Sequence, residues 1–212
     1  MTTAFQWIFD NAAAISVNKR GVVGQTVTRD QTVRSVSLGG KIWRFNVKMP
    51  QGMRWSTARQ YIAAIEAADR HTEGTVQINN AGYNAWLSAY RGDSASTTGF
   101  TASWTTGNTL TMTGYPGGSG LTAGEYIFKA GDWIQTGSSG SVYEVTTDVV
   151  YSGSSETVTV NRPILESAGS ATLSVGPNVT WTVACISFPT WTIFDRDLVQ
   201  WSGDFQFLEA IN

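Results

Sequence analysis

The last third of the chain constrains the fold most. Lys129–Gln135, Val142–Val145, Val158–Ile164, Trp181–Phe188 and Gly203–Glu209 are short runs rich in branched and aromatic residues. The gaps between them hold Gly, Ser, Asn and Pro. Branched and aromatic side chains fit a pleated, half-buried surface, and the residues in the gaps break that surface into turns. Short strands at such spacing build a small closed β module. None of these runs carries a nucleophile, a metal cluster or a phosphate loop. The segment therefore supplies shape, which points to a structural or binding protein.

The first segment also reads as strands. Across Lys41–Met49, Trp43, Phe45, Val47 and Met49 fall on one face and Ile42, Arg44, Asn46 and Lys48 on the other. That period of two predicts a half-buried strand. Leu38-Gly-Gly-Lys41 before it is a tight-turn signal, predicting a hairpin between Thr32–Leu38 and Lys41–Met49. Ile15–Val17 and Val22–Val27 are shorter strand candidates, and Gly74–Ile78 is another. One helix stands out at about Thr57–His71. Thr57 and Gln60 offer a capping box, Ala58, Tyr61, Ile62, Ile65 and Ala68 recur at helical spacing, and His71 and Gly74 close it. Arg91–Gly99 is a polar break, after which short strands and Gly-rich turns run to about Pro177. Within them Val142–Tyr151 reads as one alternating strand. From Trp181 the strands resemble the first segment again, so the tail returns to complete the first domain around an insertion.

Charge and composition narrow the function classes. Only 14% of the 212 residues are charged, against about a quarter in ordinary domains, and the formal net charge is −2. No basic footprint exists for holding phosphates, which argues against a nucleic-acid partner. Nine Trp with few charges suit a surface that meets neighbours, because interfaces favour Trp and Tyr and shed Lys and Glu. Cys185 is the only cysteine, so no intrachain disulfide forms, and it reads as a buried inert thiol. Met1–Trp7 has neither the cationic start nor the apolar core of a signal peptide. No apolar run approaches the roughly 20 residues of a membrane helix. The expectation is a soluble protein maturing in a reducing compartment or inside a cell-assembled particle, without membrane insertion.

Convergent catalytic groups are scarce. His71 is the single histidine and sits where a helix end favours a cation. It has no Gly-x-Ser-x-Gly elbow to serve and no second histidine for zinc. Glu144 with Asp148, or Asp195 with Asp197 and Asp204, are conceivable carboxylate pairs of the kind sugar hydrolases use. In a strand-rich chain they read as solvated faces. Gly117–Gly120 lacks the helix and Lys-Thr that a phosphate loop needs. Arg91-Gly92-Asp93 spells an integrin-type tripeptide, but within a linker it reads as a turn. Exposed rings stack on sugars, so the tryptophans keep a carbohydrate-binding module in view, although Trp43, Trp181 and Trp191 lie in apolar patterns that suit a core. The reading is no enzyme, no catalytic residues, no cofactor and no metal.

Four features carry a resemblance: Lys129-Ala-Gly-Asp132, Val142-Tyr-Glu-Val145, the strand Val158 to Pro163, and the closing Gly203-Asp-Phe-Gln-Phe-Leu-Glu209. Together they resemble the distal tail proteins of long non-contractile-tailed bacteriophages. The likeness in sequence covers roughly the last eighty residues, and the layout of the first half is compatible. It implies a mainly β fold: a tail-tube-like β-sandwich with one flanking helix and an inserted OB-like small β-barrel. Residues 1–93 with 179–212, including helix 57–71, would form the ring-building sandwich, and 94–178 the inserted barrel. The resemblance further implies a homohexameric ring in the virion, assembled in the host cytoplasm, that joins the tail-tube protein to the tip hub. Another minor tail or tube-terminating ring protein is the alternative within that class. Arg44, Asn46 and Lys48, the polar side of a long strand, are the candidate self-assembly surface.

Overall fold

The computed structural model describes residues 3–19, 21, 23–27, 31, 33–37, 41–67, 72–79, 85–137 and 140–211, with 23–27 and 33–37 described as backbone alone. The chain is mainly β. Its elements begin with α1 (Ala4–Asp10), β1 (Ala14–Asn18), β2 (Val23–Val27), β3 (Val33–Ser37), β4 (Arg44–Lys48), β5 (Met53–Arg54) and α2 (Trp55–Ala67). Next come β6 (Glu73–Gln77), α3 (Ala85–Ser88), β7 (Thr101–Trp104), β8 (Thr109–Gly114), β9 (Tyr126–Phe128), β10 (Trp133–Thr136) and β11 (Val142–Glu144). The last are β12 (Val149–Val150), β13 (Thr157–Thr159), β14 (Gly169–Val175), β15 (Thr180–Ser187), β16 (Trp191–Phe194), β17 (Leu198–Trp201) and β18 (Phe205–Glu209). Two compact units divide at Gly74/Thr75 and Thr182/Val183, apart from the two termini. The strands β7 to β14 all lie within the 94–178 segment expected to be an insertion. The compact unit holding them is larger, covering Thr75–Thr182 and the N-terminal residues to Asp10.

In that unit a six-stranded sheet runs β11-β10-β14-β7-β8-β13. Its outer strands meet: Val145 and Val160 form a bridge, Thr146 N–H donates to Thr159 O at 2.9 Å, and Asn161 N–H donates to Glu144 O at 2.9 Å. The sheet thus curls onto itself and needs no covering layer at those edges. Inside lie Phe100, Leu110, Met112, Phe128, Tyr143 and Val158, with Phe100 and Phe128 ring centroids 5.2 Å apart. The alternation at Thr109–Thr113 is realised, with Leu110 and Met112 buried between exposed threonines. The single strand expected over Val142–Tyr151 is two short ones instead. Thr146–Asp148 turns outward, and the Asp148 carboxylate accepts the Ala130 N–H at 2.8 Å, so β12 pairs with β9 rather than extending β11.

In the other unit β4 lies between β1 and β18, and β18 pairs in turn with β15. Phe45 faces Phe207 and Val47 faces Phe205 across the ladder, and Trp43, Phe45, Val47 and Met49 are all buried, as the period of two requires. A second sheet, β16-β17-β5, meets this core through Trp201, whose ring lies 5.1 Å from Phe205. The hairpin expected between Thr32–Leu38 and Lys41–Met49 does not form. β3 pairs with β2, and β4 takes β1 and β18 as neighbours. A local turn signal loses here to long-range pairing, because Phe205 and Phe207 of β18 and Ile15 and Val17 of β1 meet Val47 and Phe45 in register. The turn residues 38–40 lie outside the described residues.

The helix starts at Trp55, two residues before the expected cap, which places Thr57 inside the first turn. The Trp55 N–H donates to Asp197 O at 2.7 Å, so a neighbouring chain segment takes over part of the capping. Ala68 and His71, expected at its end, lie outside the described residues. Its buried face is Ala58, Ile62 and Ile65, while Tyr61 is only half-buried. Ile65→Ala should cost about 2–4 kcal/mol, whereas Arg59→Glu on the exposed face should change stability by less than about 0.5 kcal/mol. Urea titration of both variants checks the facing, and equal losses would reverse it. Two further helices, α1 and α3, have no counterpart in the expected layout. α1 is only two turns long, yet it buries Phe5, Trp7, Ile8 and Phe9, too short a pattern to separate from a strand in sequence.

Three glutamines do the same structural task at distant places. Gln6 Nε2 donates to Gln77 O at 3.0 Å while its Oε1 accepts the Gln77 N–H at 2.8 Å. Gln135 treats Thr180 in the same way, at 2.7 and 3.0 Å, and Gln51 treats Trp201 at 3.1 and 3.1 Å. A carboxamide presents one donor and one acceptor side by side, so each of these side chains replaces one residue of a neighbouring strand.

Candidate functional site

Arg44, Asn46 and Lys48 are all exposed on one face of β4. Across the ladders the same face continues through Ala14, Ser16 and Asn18 of β1 and Gln206 and Leu208 of β18. This is a broad, mostly polar surface with two cations and no carboxylate among the paired residues. It plays no part in the core, since every second residue of the same strands points the other way.

The carboxylates considered for catalysis are spread over separate elements. Glu144 is half-buried on β11, and Asp148 holds the turn described above. Asp195 and Asp197 flank Arg196 at the β16–β17 hairpin, where Asp195 and Arg196 adopt left-handed φ of 45° and 71°, and Asp204 is exposed before β18. The three residues Asp195–Asp197 link Phe194 to its ladder partner Leu198, and the two in left-handed φ, neither of them glycine, carry some strain. Among the described residues, no group of three His, Cys, Asp or Glu side chains is placed to hold a metal ion. Trp191, expected in the core, is half-buried: it stacks on Trp55 at 4.8 Å and its Nε1 donates to Glu66 at 2.8 Å.

The Arg91-Gly92-Asp93 and Lys129-Ala-Gly-Asp132 motifs prove to be one knot. Asp132, almost wholly buried, accepts the Lys129 N–H at 2.9 Å with one oxygen and the Arg91 N–H at 3.0 Å with the other. Asp93 Oδ2 accepts the Tyr126 N–H at 2.8 Å and pairs with Lys129 at 3.7 Å. Burial pushes the Asp132 carboxyl above its ordinary range, against the two N–H donors and the Arg91 and Lys129 charges that favour the ionised form. Tyr90 Oη donates to Ile127 O at 2.5 Å, and burial raises this phenol to about 12. These groups anchor a turn, so the tripeptide is structural.

A second buried cluster has the same character. Tyr143 Oη donates to Glu166 at 2.5 Å, Ser141 N–H donates to the other Glu166 oxygen, and Leu165 N–H donates to Tyr143 Oη at 2.8 Å. Arg162 lies over the Tyr143 ring at 5.2 Å and donates to Val142 O at 2.8 Å. Burial works against the Glu166 charge, but its hydrogen bonds from Tyr143 and Ser141 win and hold the carboxyl below its usual range. Cys185 is fully buried and burial pushes its thiol up to about 12. Thiolate is the reactive form, so iodoacetamide should leave Cys185 unmodified in the native protein and label it fully in urea. Rapid native labelling would show the segment opening.

A cleft of about 420 Å³ lies beside α1. Gln6 and Asp10 of α1 and Thr3 just before it line one side, and Thr75 and Gln77 of β6, Asn79 just after it and Thr180 of β15 line the other. Its side chains are fixed by one another: Gln6 Nε2 also donates to Asp10 Oδ1 at 2.7 Å, Gln77 Nε2 to Thr180 Oγ1 at 2.9 Å, and Asn79 Nδ2 to Gln77 Oε1 at 2.8 Å. Sequence reasoning missed this cleft because its residues come from three separated segments of ordinary polar type.

Fold and side chains together define a mainly β protein in which Asp93, Asp132, Asp148 and Glu166 hold loops and turns through backbone N–H groups. No protein-family model matches the chain, and no curated protein matches its sequence.

Proposed function

We propose that this protein is a structural component of a long non-contractile bacteriophage tail: a distal ring protein that joins the tail tube to the tip hub. What supports the reading is the layout. One unit is built from Asn11–Gly74 and Val183–Ala210, interrupted by a unit whose core is a small curled sheet. An interrupted unit is compatible with the sandwich-with-inserted-barrel order implied by the resemblance in the last eighty residues, although residues 1–10 and 75–93, expected in the sandwich, cluster with the curled sheet. Asp93, Asp132, Asp148 and Glu166 each accept backbone N–H groups and so brace loops and turns, which suits a part made for assembly. A ring subunit meets two neighbours through a heterologous interface that closes, and the Arg44–Asn46–Lys48 face is the surface assigned to that contact.

Negative-stain images of the purified protein test the claim. The expected result is a ring with a central hole and sixfold symmetry that adds to tail-tube protein. Arg44→Glu with Lys48→Glu should shift light scattering from ring to monomer. A ring that persists unchanged removes this face from the interface, and a strict monomer at high concentration overturns the ring itself.

A further inference from the structure

We infer that β16 is a docking edge for a second copy of this chain, pairing antiparallel with the partner subunit's β16 across a twofold axis. The open edge follows from the hydrogen-bond pattern. In an antiparallel ladder, residues whose backbone groups point at the neighbouring strand alternate with residues whose groups point away. Ser202 N–H donates to Thr190 O at 2.9 Å, so that pair bonds inward. Val199 O accepts the Gly52 N–H at 3.0 Å and Trp201 N–H donates to Gln51 Oε1 at 3.1 Å, so these two residues of β17 turn away from β16. Their ladder partners are Ile193 and Trp191, whose N–H and C=O groups therefore face outward. β16 is an outer strand of the sheet β16-β17-β5, and no described strand pairs with that side.

The edge carries none of the features that keep strands from pairing. Trp191-Thr-Ile-Phe194 holds no charge, no proline and no bulge. Thr192, Ile193 and Phe194 are all exposed, with Ile193 46% and Phe194 40% accessible, so apolar surface is open on both faces of the strand. Charge and register select the occupant. A twofold contact sets identical surfaces against each other, so a charged edge would repel its own copy, and this edge has no charge. With Thr192 opposite the partner's Thr192, Ile193 falls opposite the partner's Trp191, and Trp191 opposite the partner's Ile193. These are the residues whose backbone groups point outward, so each contact closes a reciprocal pair of N–H to O=C bonds. Each also sets an aromatic ring against a branched side chain, a favourable cross-strand combination. The contact uses none of Arg44, Asn46 and Lys48, so it goes beyond the tail-ring reading and does not depend on it.

Sedimentation velocity over a concentration series tests it on the full chain carrying Arg44→Glu and Lys48→Glu, so that a ring does not mask the pair. A reversible dimer should appear with Kd on the order of 10 µM, because one short strand pair makes a small interface. Adding Thr192→Lys or Thr192→Glu should weaken it by about tenfold or more, since identical charges then meet at the twofold axis. An equimolar mixture of those two variants should restore the dimer as a mixed pair. Thr192 is exposed, so both should keep the melting temperature of their parent. Gln200→Lys, beside Thr192 on β17 but off the open edge, should leave the dimer unchanged. A monomer at every concentration overturns the inference, as does a dimer indifferent to both Thr192 variants. A dimer that both variants weaken and their mixture fails to restore overturns the twofold register.

Discussion

Gln135→Glu should be among the most damaging single substitutions in this protein at neutral pH, costing about 4 kcal/mol or more. Gln135 is buried, and its Nε2 donates to Gly140 O at 2.8 Å and to Thr180 O at 2.7 Å while its Oε1 accepts the Thr180 N–H. A carboxylate of the same shape keeps the acceptor and turns both donors into an anionic oxygen facing two carbonyls. Burial and those carbonyl dipoles raise the folded pKa of the new carboxyl above its unfolded value. The variant is therefore most stable below the unfolded pKa, where a proton restores a donor, and loses stability as pH rises through the folded pKa. Gln135→Leu removes the bonds without adding charge and should cost less, about 2–3 kcal/mol. Urea titrations at neutral and acidic pH separate the cases, and a Gln135→Glu deficit independent of pH would show that Gln135 is not read by those carbonyls.

Gly92→Ala should destabilise by about 3 kcal/mol or more through overpacking. A Cβ at this position would overlap the Ile127 carbonyl oxygen and Tyr90 Oη, the two atoms that hydrogen-bond to each other beside it. The tyrosine can swing away only by giving up that bond, and the carbonyl belongs to β9, which is held by β12. Asp93 and Asp132 fasten the same turn from either side, leaving the backbone little room to yield. Gly117→Ala, in the open loop after Tyr115, meets nothing within 4 Å and is the matched control. Thermal melts of the two should differ by many degrees. A Gly92→Ala variant as stable as Gly117→Ala would mean the Arg91–Asp93 turn is loose, and would return the tripeptide to consideration as a ligand motif.

Local periodicity was legible in the sequence, and it was legible because strand geometry is local. The buried set Trp43, Phe45, Val47 and Met49 follows from a period of two, as do Leu110 and Met112 and the buried positions of α2 from helical spacing. The burial of Cys185 follows from the apolar strand that contains it. What each strand pairs with was not legible. The glycine pair before Lys41 signalled a hairpin that long-range pairing with Phe205 and Phe207 overrides, and Asp148 broke a strand by bonding a backbone N–H 18 residues away. The glutamines at 6, 51 and 135 look like ordinary polar residues. Their partners lie 71, 150 and 45 positions along the chain, so only the tertiary structure could assign them. The cleft is of the same kind, made from threonines, amides and one aspartate with no signature spacing. Side-chain alternation is written residue by residue, whereas a hydrogen bond between distant segments exists only once the chain has brought them together.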